Sequence, residues 1–423
     1  MADDRLQTSE HLLAGLLALS LSSSTFSVAL SQTALGLAAA FYVAIVIAGR
    51  VKFFAGLPRW FCITIAAWLV WLVAASLVNE QPWGSLNAVR DNWLFIAIPI
   101  SIHVIRRGML WPLLVSLACG VIFVSLVGIW QYFTGSTAFV DIQLSPAPGF
   151  GHRATGFFTG LVTFGNYFAL AAAGLFGYLL VGNKTISRGM TVFLSVAVFL
   201  AFLVTILNFG RGAVVAVILS MGYLLVLCGR IQWKASLVSL GVIAVTLLAI
   251  PGVGARFVDQ FEKDLYGESE GGRVFIWRNT LKIAEQHPIT GVGPANFKKA
   301  YIPTLRPDIP EIRKLHHAHS DFLHAAATTG VPGVLFFGAM WFGVIRCFLK
   351  GFRESLRKGD TVASASYGAA LAATICCLTT SLFHEVFSDD EIRLPLMFFW
   401  AVGLAHMYNR APESGCVSAA QTP

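Results

Sequence analysis

Charge is the scarcest resource in this chain. Only 12% of its 423 residues are Asp, Glu, Lys or Arg, while 56% are hydrophobic. A soluble globular chain carries about 25% charged residues, so an ordinary soluble domain is excluded and a polytopic membrane protein is implied. Cysteine is also sparse. Cys62, Cys119, Cys228, Cys347, Cys376, Cys377 and Cys416 lie mostly within apolar runs and show no CxxC spacing. Buried small hydrophobes are therefore expected, and neither a disulfide framework nor a zinc site. The sequence has no GxSxG, no P-loop and no carboxylate pair assignable to glycosidase chemistry, so it holds no energy source for the cytoplasmic side. It has no repeat of 20 to 50 residues, and no low-complexity segment beyond a short polar tail from about 411.

What is present is a series of apolar runs. A helix needs about 20 mostly apolar residues to cross a bilayer. Such runs lie near 11–29, 32–49, 59–78, 91–105, 109–133, 158–181, 190–208, 211–228, 235–251, 331–349, 363–383 and 394–408. About twelve transmembrane helices in an all-α integral membrane protein are expected, with 91–105 and 394–408 the shortest. The leading MADDRLQTSE is polar and has no clear small-residue cleavage site after it. It reads as a cytoplasmic tail before a retained first helix, with an uncleaved signal anchor as the alternative.

The formal net charge of +8 would suit nucleic acid, but Lys and Arg fall in short clusters between apolar runs. That is the pattern of membrane topology. With the N-terminus inside, every inside loop is basic: Arg50, Lys52 and Arg59; Arg106 and Arg107; Lys184 and Arg188; Arg230 and Lys234; and Arg346, Lys350, Arg353, Arg357 and Lys358. The opposite loops include the acidic HEVFSDDEIR at 384–393. The expected organisation is helices 1–9 over 1–251, a large outer loop over 252–325, helices 10–12 over 326–410 and a cytoplasmic tail over 411–423. Within the loop, VFIWRNTLKIAEQ carries Val274, Ile276, Trp277, Leu281 and Ile283 at roughly helical spacing. It reads as an amphipathic helix lying on the membrane or capping a cavity. His287 and Pro288 end it, and GVGPANF follows as a turn.

Outer-face arginines are not explained by the positive-inside rule. Four stand out: Arg153 in GHRATGFF, Arg211 in NFGRGA, and Arg273 and Arg278 in EGGRVFIWRN. One alone would read as snorkelling to lipid phosphate. Several on one face, joined by histidines, point to an anionic ligand, because a guanidinium grips phosphate oxygens through paired charged hydrogen bonds. His316, His317 and His319 precede SDFLHAAATTG, a helix start with Ser320 as N-cap and Asp321 in the first turn. His319 then lies at the helix mouth. A solvated loop histidine is the plain alternative. Metal binding lacks a Cys or carboxylate partner at a recognisable spacing, and an imidazole titrating near 6.5 can act as a general base. His384, Glu385, Asp389 and Asp390 could help hold an arginine or a sugar, although surface loops are commonly charged.

Four stretches resemble the O-antigen ligase and polymerase superfamily of bacterial inner-membrane proteins: RATGFFTGLVTFGNYFAL, Arg211-Gly212-Ala213, GGRVFIWRNTLKIAEQHPITGVGPANF and HSDFLHAAATTGVPG. In the last, His319 and Ser320 are followed by nine residues and then Gly330 and Gly333, a spacing similar to the ligases' histidine signature. The stretches cover about 150–335. Val334-Leu335 stands where ligases often carry small hydroxyl residues, which leaves room for the polymerase or for a protein O-oligosaccharyltransferase. The resemblance implies a GT-C-like glycosyltransferase with a large, partly helical periplasmic loop. It implies a glycan on undecaprenyl diphosphate as donor, a sugar hydroxyl of lipid A core as acceptor, and no cofactor, metal or nucleic acid. His319 would be the base, and Arg211 and Arg273 would bind the diphosphate. Arg153 and Arg278 are weaker candidates, and His317 and Asp321 auxiliaries. A transporter is the alternative of another class, but polar residues gather at one face and no inverted repeat is apparent.

Overall fold

The computed structural model describes residues 2–137, 144–147, 151–182, 185–229, 273–304 and 317–407. The expected span at 235–251, the loop residues 252–272, His316 and the tail 411–423 lie outside the described residues. Within them no strand forms, and an isolated bridge joins Pro146 to His152. The helices are α1 (Ala2–Ser23), α2 (Val28–Ile47), α3 (Arg59–Val78), α4 (Pro82–Arg90), a 3-10 turn (Asp91–Ile96), α5 (Ala97–Arg106), α6 (Leu110–Thr134), α7 (Leu161–Gly182), α8 (Arg188–Leu207) and α9 (Arg211–Leu227). From residue 273 on come α10 (Arg273–Gln286), α11 (Phe297–Tyr301), α12 (Asp321–Lys358), α13 (Thr361–Ser381) and α14 (Asp390–Ala405).

Eight helical stretches among the described residues are long and apolar enough to cross a membrane: α2, α3, Pro82–Arg106, α6, α7, α8, α12 and α13. α9 is a shorter apolar helix of 17 residues. The span expected at 91–105 begins earlier, at Pro82, where proline occupies the first helical turn and its missing N–H costs nothing. Side chains start other helices: Ser27, Ser187 and Asp360 accept hydrogen bonds from the N–H groups of Leu30, Met190 and Ala363.

α7 and α13 form the centre of the bundle and pack against each other. Small residues dominate their contact face, and the backbones meet at Gly177 and Gly368. A Cβ on Gly368 would lie 2.8 Å from the Gly177 carbonyl oxygen. Because lipid offers no hydrophobic drive to associate, close packing and internal hydrogen bonds hold such helices together. Two such hydrogen bonds join buried side chains: Ser24 Oγ with Tyr167 Oη at 2.8 Å, and Trp400 Nε1 donating to Thr374 Oγ1 at 3.0 Å.

A second, small cluster caps one end. Ile276, Ile283, Val292, Phe297, Tyr301, Ala318 and Ala327 bury one another there. The expected amphipathic helix is α10, with Ile276 and Ile283 facing inward and Leu281 47% exposed.

The clasp beneath this cap is α12 itself. Its first turns break at Gly330, whose φ of 70° and ψ of −175° suit glycine alone, and Pro332 follows inside the helix. A kink strands backbone groups that lipid cannot satisfy. Each has a partner here: Val292 N–H donates to Ala327 O and Gly293 N–H to Thr328 O at 2.9 Å, and Trp71 Nε1 donates to Thr329 O at 2.8 Å. In return Val331 N–H donates to Pro288 O at 2.8 Å. A Cβ on Gly330 would strike the Ile289 carbonyl, and one on Gly291 the Thr328 carbonyl. The glycines of TTGVPG and TGVG therefore let two backbones lace together.

Candidate functional site

The chain alternates direction through its helices, so the start of α7, the turn before α9, the start of α12 and the turn before α14 meet at one end. Among the described residues, two non-glycine residues have positive φ, Phe209 (59°) and His319 (52°). Both sit in turns that the sequence singles out. Such conformations are uncommon outside glycine, and histidine is among the residues that tolerate them. Phe209 holds its turn by stacking near Tyr132, with ring centroids 6.5 Å apart.

His319 packs edge-on to His317, ring centroids 4.4 Å apart, and lies 6.1 Å from His384. Its Nδ1 is buried without a hydrogen-bond partner. Burial pushes its pKa down to about 4, helped by the neighbouring His317 and by the Arg273 charge. His384 is pushed down to about 3, first by burial and then by Arg273, His319 and His317. Arg273 Nη2 lies 3.0 Å from His384 Nε2. A guanidinium can only donate, so Nε2 accepts and the ring proton of neutral His384 sits on Nδ1. A neutral imidazole thus fixes Arg273 without cancelling its charge.

The other expected residues are placed as follows. Arg211 begins α9 and is half-buried; a Cβ on the next residue, Gly212, would lie 3.6 Å from His384 Cδ2. Arg153 Nε donates to Asn208 O at 2.8 Å, and Asn208 Nδ2 donates to Ala154 O and Leu161 O. Arg153 therefore braces the turn that carries Arg211. Arg278 is exposed on α10, and neither it nor Arg153, Arg211 or Arg273 is among the residues that line the cleft around His319. Ser320 occupies the N-cap of α12 but makes no side-chain cap bond. Asp321 is buried and reaches across to the turn before α14, accepting from the N–H groups of Val386 and Phe387 at 3.1 to 3.2 Å. It anchors that turn.

An open cleft of about 540 Å³ is lined by His317, His319, His324, His384, Glu385 and Asp389, with Lys298 and Thr163 at its walls. Glu385 Oε2 lies 3.8 Å from His317 Nδ1 and 3.5 Å from His324 Nδ1. Burial pushes Asp389 up to about 7, against a hydrogen bond from Thr163 Oγ1 at 2.9 Å and with Glu391 and Glu385 adding to the rise. Near-neutral and neutralised groups gathered in a cleft mark a site where protons can move. Sequence reasoning undervalued His384, Glu385 and Asp389, which look like an ordinary acidic turn, and it gave no role to His324. Their only signal was a histidine and three carboxylates in a short turn facing the same side as His319. Among the described residues, no three His, Cys, Asp or Glu side chains are grouped to hold a metal ion.

Among curated proteins none matches the chain. A family model described as O-Antigen ligase matches residues 196–338, a segment that includes Arg211, Arg273, Arg278, His317, His319 and Asp321. This match supports the O-antigen ligase/polymerase superfamily for this membrane protein, without separating ligase from polymerase.

Proposed function

We propose that the protein is an O-antigen ligase of the bacterial inner membrane, an inverting, metal-independent glycosyltransferase of lipopolysaccharide biosynthesis. Its donor is a glycan on undecaprenyl diphosphate, and its acceptor a sugar hydroxyl of lipid A core. The full fold would be GT-C-like, with about twelve spans and the cleft on the periplasmic face. The observation that carries this reading is that His384, which lines one cleft with the neutral His319, also fixes Arg273.

In the proposed reaction the acceptor hydroxyl oxygen bonds to the anomeric carbon from the face opposite the diphosphate. The carbon–oxygen bond to the diphosphate breaks, and its electron pair leaves with the diphosphate. His319 takes the hydroxyl proton. Arg211 and Arg273 bind the diphosphate and neutralise its growing charge, Arg153 supports them through the Asn208 turn, and Arg278 is a peripheral contact. His317 and Asp321 hold the turns on either side of the base. A pKa of about 4 leaves His319 unprotonated but weakly basic at neutral pH. Because Arg273 contributes to that depression, a diphosphate bound at Arg273 offsets it and strengthens the base as the donor arrives.

The test uses purified protein with undecaprenyl-diphosphate-linked glycan and lipid A core, comparing wild type with His319→Ala and Arg211→Ala. Product on lipid A from the wild type and none from His319→Ala supports the ligase and its base. Longer glycans on undecaprenyl diphosphate instead would make the protein a polymerase, and normal transfer by His319→Ala would remove the base.

A further inference from the structure

Beside the His319 cleft lies a smaller cavity of about 170 Å³, and the two share Pro294, His324, Glu385 and Ser388 as a common wall. Four of the residues that line it carry a buried polar atom with no hydrogen-bond partner: Trp68 Nε1, His324 Nδ1, Glu385 Oε2 and Arg393 Nε. Trp68 and Arg393 are only 6% and 3% exposed. His324 Nδ1 and Glu385 Oε2 face each other at 3.5 Å, but buried polar groups are nearly always paired, so Trp68 Nε1 and Arg393 Nε call for an occupant.

The chemistry of these atoms narrows that occupant. Trp68 Nε1 and Arg393 Nε only donate, Glu385 Oε2 accepts when ionised, and His324 Nδ1 does either according to its tautomer. An apolar chain would leave Trp68 Nε1 and Arg393 Nε unpaired. A metal cation would face the Arg393 guanidinium, and a phosphate would face the carboxylates of Glu385 and Asp91, which also line the cavity. A single water needs only about 15 Å³, a small part of this space. A ring bearing several neutral hydroxyls fits, because each hydroxyl both donates and accepts.

We infer that this cavity is a monosaccharide subsite, holding one sugar ring of a glycan substrate while the neighbouring ring reaches His319. The inference rests on the glycosyl-transfer reading for its substrate class. The ring can belong to the donor glycan or to the acceptor core, and both offer the same hydroxyl chemistry. Trp68 and Arg393 then select the sugar by its hydroxyl pattern, and His324 and Glu385 stand between it and the reacting centre.

Binding of two lipid-free oligosaccharides to the full-length protein in detergent separates the sources, one oligosaccharide released from the donor and one from the lipid A core. Trp68→Phe deletes only the indole N–H while keeping a ring at the site, and Glu385→Gln removes the charge. The expected result is wild-type binding of one oligosaccharide, weakened about tenfold in each variant, the scale of one buried hydrogen bond. In transfer assays Trp68→Phe, which lies outside the His319 cleft, should raise KM for the same substrate by a similar factor with kcat little changed. Should Glu385→Gln unfold, Trp68→Phe decides alone. Wild type that binds neither oligosaccharide, or variants that bind as wild type does, would overturn the subsite and leave a water-filled cavity. A protein that transfers no glycan yet binds sugar through Trp68 would lose the ligase reading and keep the subsite. One that transfers glycan with Trp68→Phe kinetically silent would do the reverse.

Discussion

At one end of the bundle charges answer one another in simple pairs. Lys350, its side chain 75% exposed, lies 3.8 Å from Glu354, and Arg107 meets Glu10 at 2.9 Å. At the other end several ionisable groups are buried and held by polar groups. His384 fixes Arg273, the Asn208 carbonyl holds Arg153, and backbone N–H groups hold Asp321. The first arrangement is what membrane topology alone requires. The second buries ionisable groups beside backbone held at positive φ at Phe209 and His319, the kind of strain that gathers at functional sites. A bundle that merely had to sit in lipid would need the first end twice.

The sharpest break of this contrast is at His319. His319→Ala should lower transfer by about 10²- to 10⁴-fold, the range of a lost general base, while membrane insertion and melting temperature stay near wild type. A rate within a few-fold of wild type would mean that the left-handed turn is only architectural.

Gly330→Ala should come next, acting on stability first. The φ of 70° adds about 1–3 kcal/mol of strain, and the new methyl strikes the Ile289 carbonyl that the clasp brings close. A lower melting temperature with faster proteolysis within 287–293 is expected. Unchanged proteolysis would show that the cap is held without the lacing at Pro288, Val292 and Gly293.

Much of this was legible in the sequence, and what was not has physical reasons. Apolar runs locate helices because lipid demands them, so α2, α3, α6 and α8 fall within a few residues of their expected limits. The start of α12 at Ser320 and Asp321 was legible, but its continuation through Gly330 into the apolar run was not, because the broken backbone there is repaired by residues some 40 positions upstream. His319, Arg211 and Arg273 were visible as polar residues in costly places. Asp321 looked like a first-turn acid, and only the fold reveals Val386 and Phe387 at its oxygens. Trp68 and Arg393 were invisible, since an aromatic in an apolar run and an arginine three residues from an aspartate both have ordinary explanations.

Acidification should act on the two ends differently. An unfolded imidazole protonates near 6.5, but folded His319 and His384 do so near 4 and 3. Between those values the unfolded chain binds more protons, so their contribution is complete above about pH 6.5 and is lost as pH falls toward 4. Asp389, raised to about 7, works oppositely in the same window, gaining stability as it takes up its proton. The difference between proteins isolates the histidines: His384→Gln should lose less melting temperature than wild type from pH 7 to 5. Parallel profiles would mean that His384 is not buried as a neutral base.

The smallest effect should lie at the solvated end. Lys350 and Glu354 are one helical turn apart and largely hydrated, so their attraction is screened and offset by the entropy of two long side chains. Lys350→Ala should change stability by less than about 0.5 kcal/mol and leave transfer unchanged at any salt concentration. The same truncation at Arg273 removes a charge held by His384 beside the base, and should lower donor use about 10²- to 10³-fold, as for other preorganised donors to a developing anion. If transfer kinetics place the two truncations within a few-fold of each other, charge at the His319 end is solvated like that at the opposite end, and the strain at residue 319 has to be explained by packing alone.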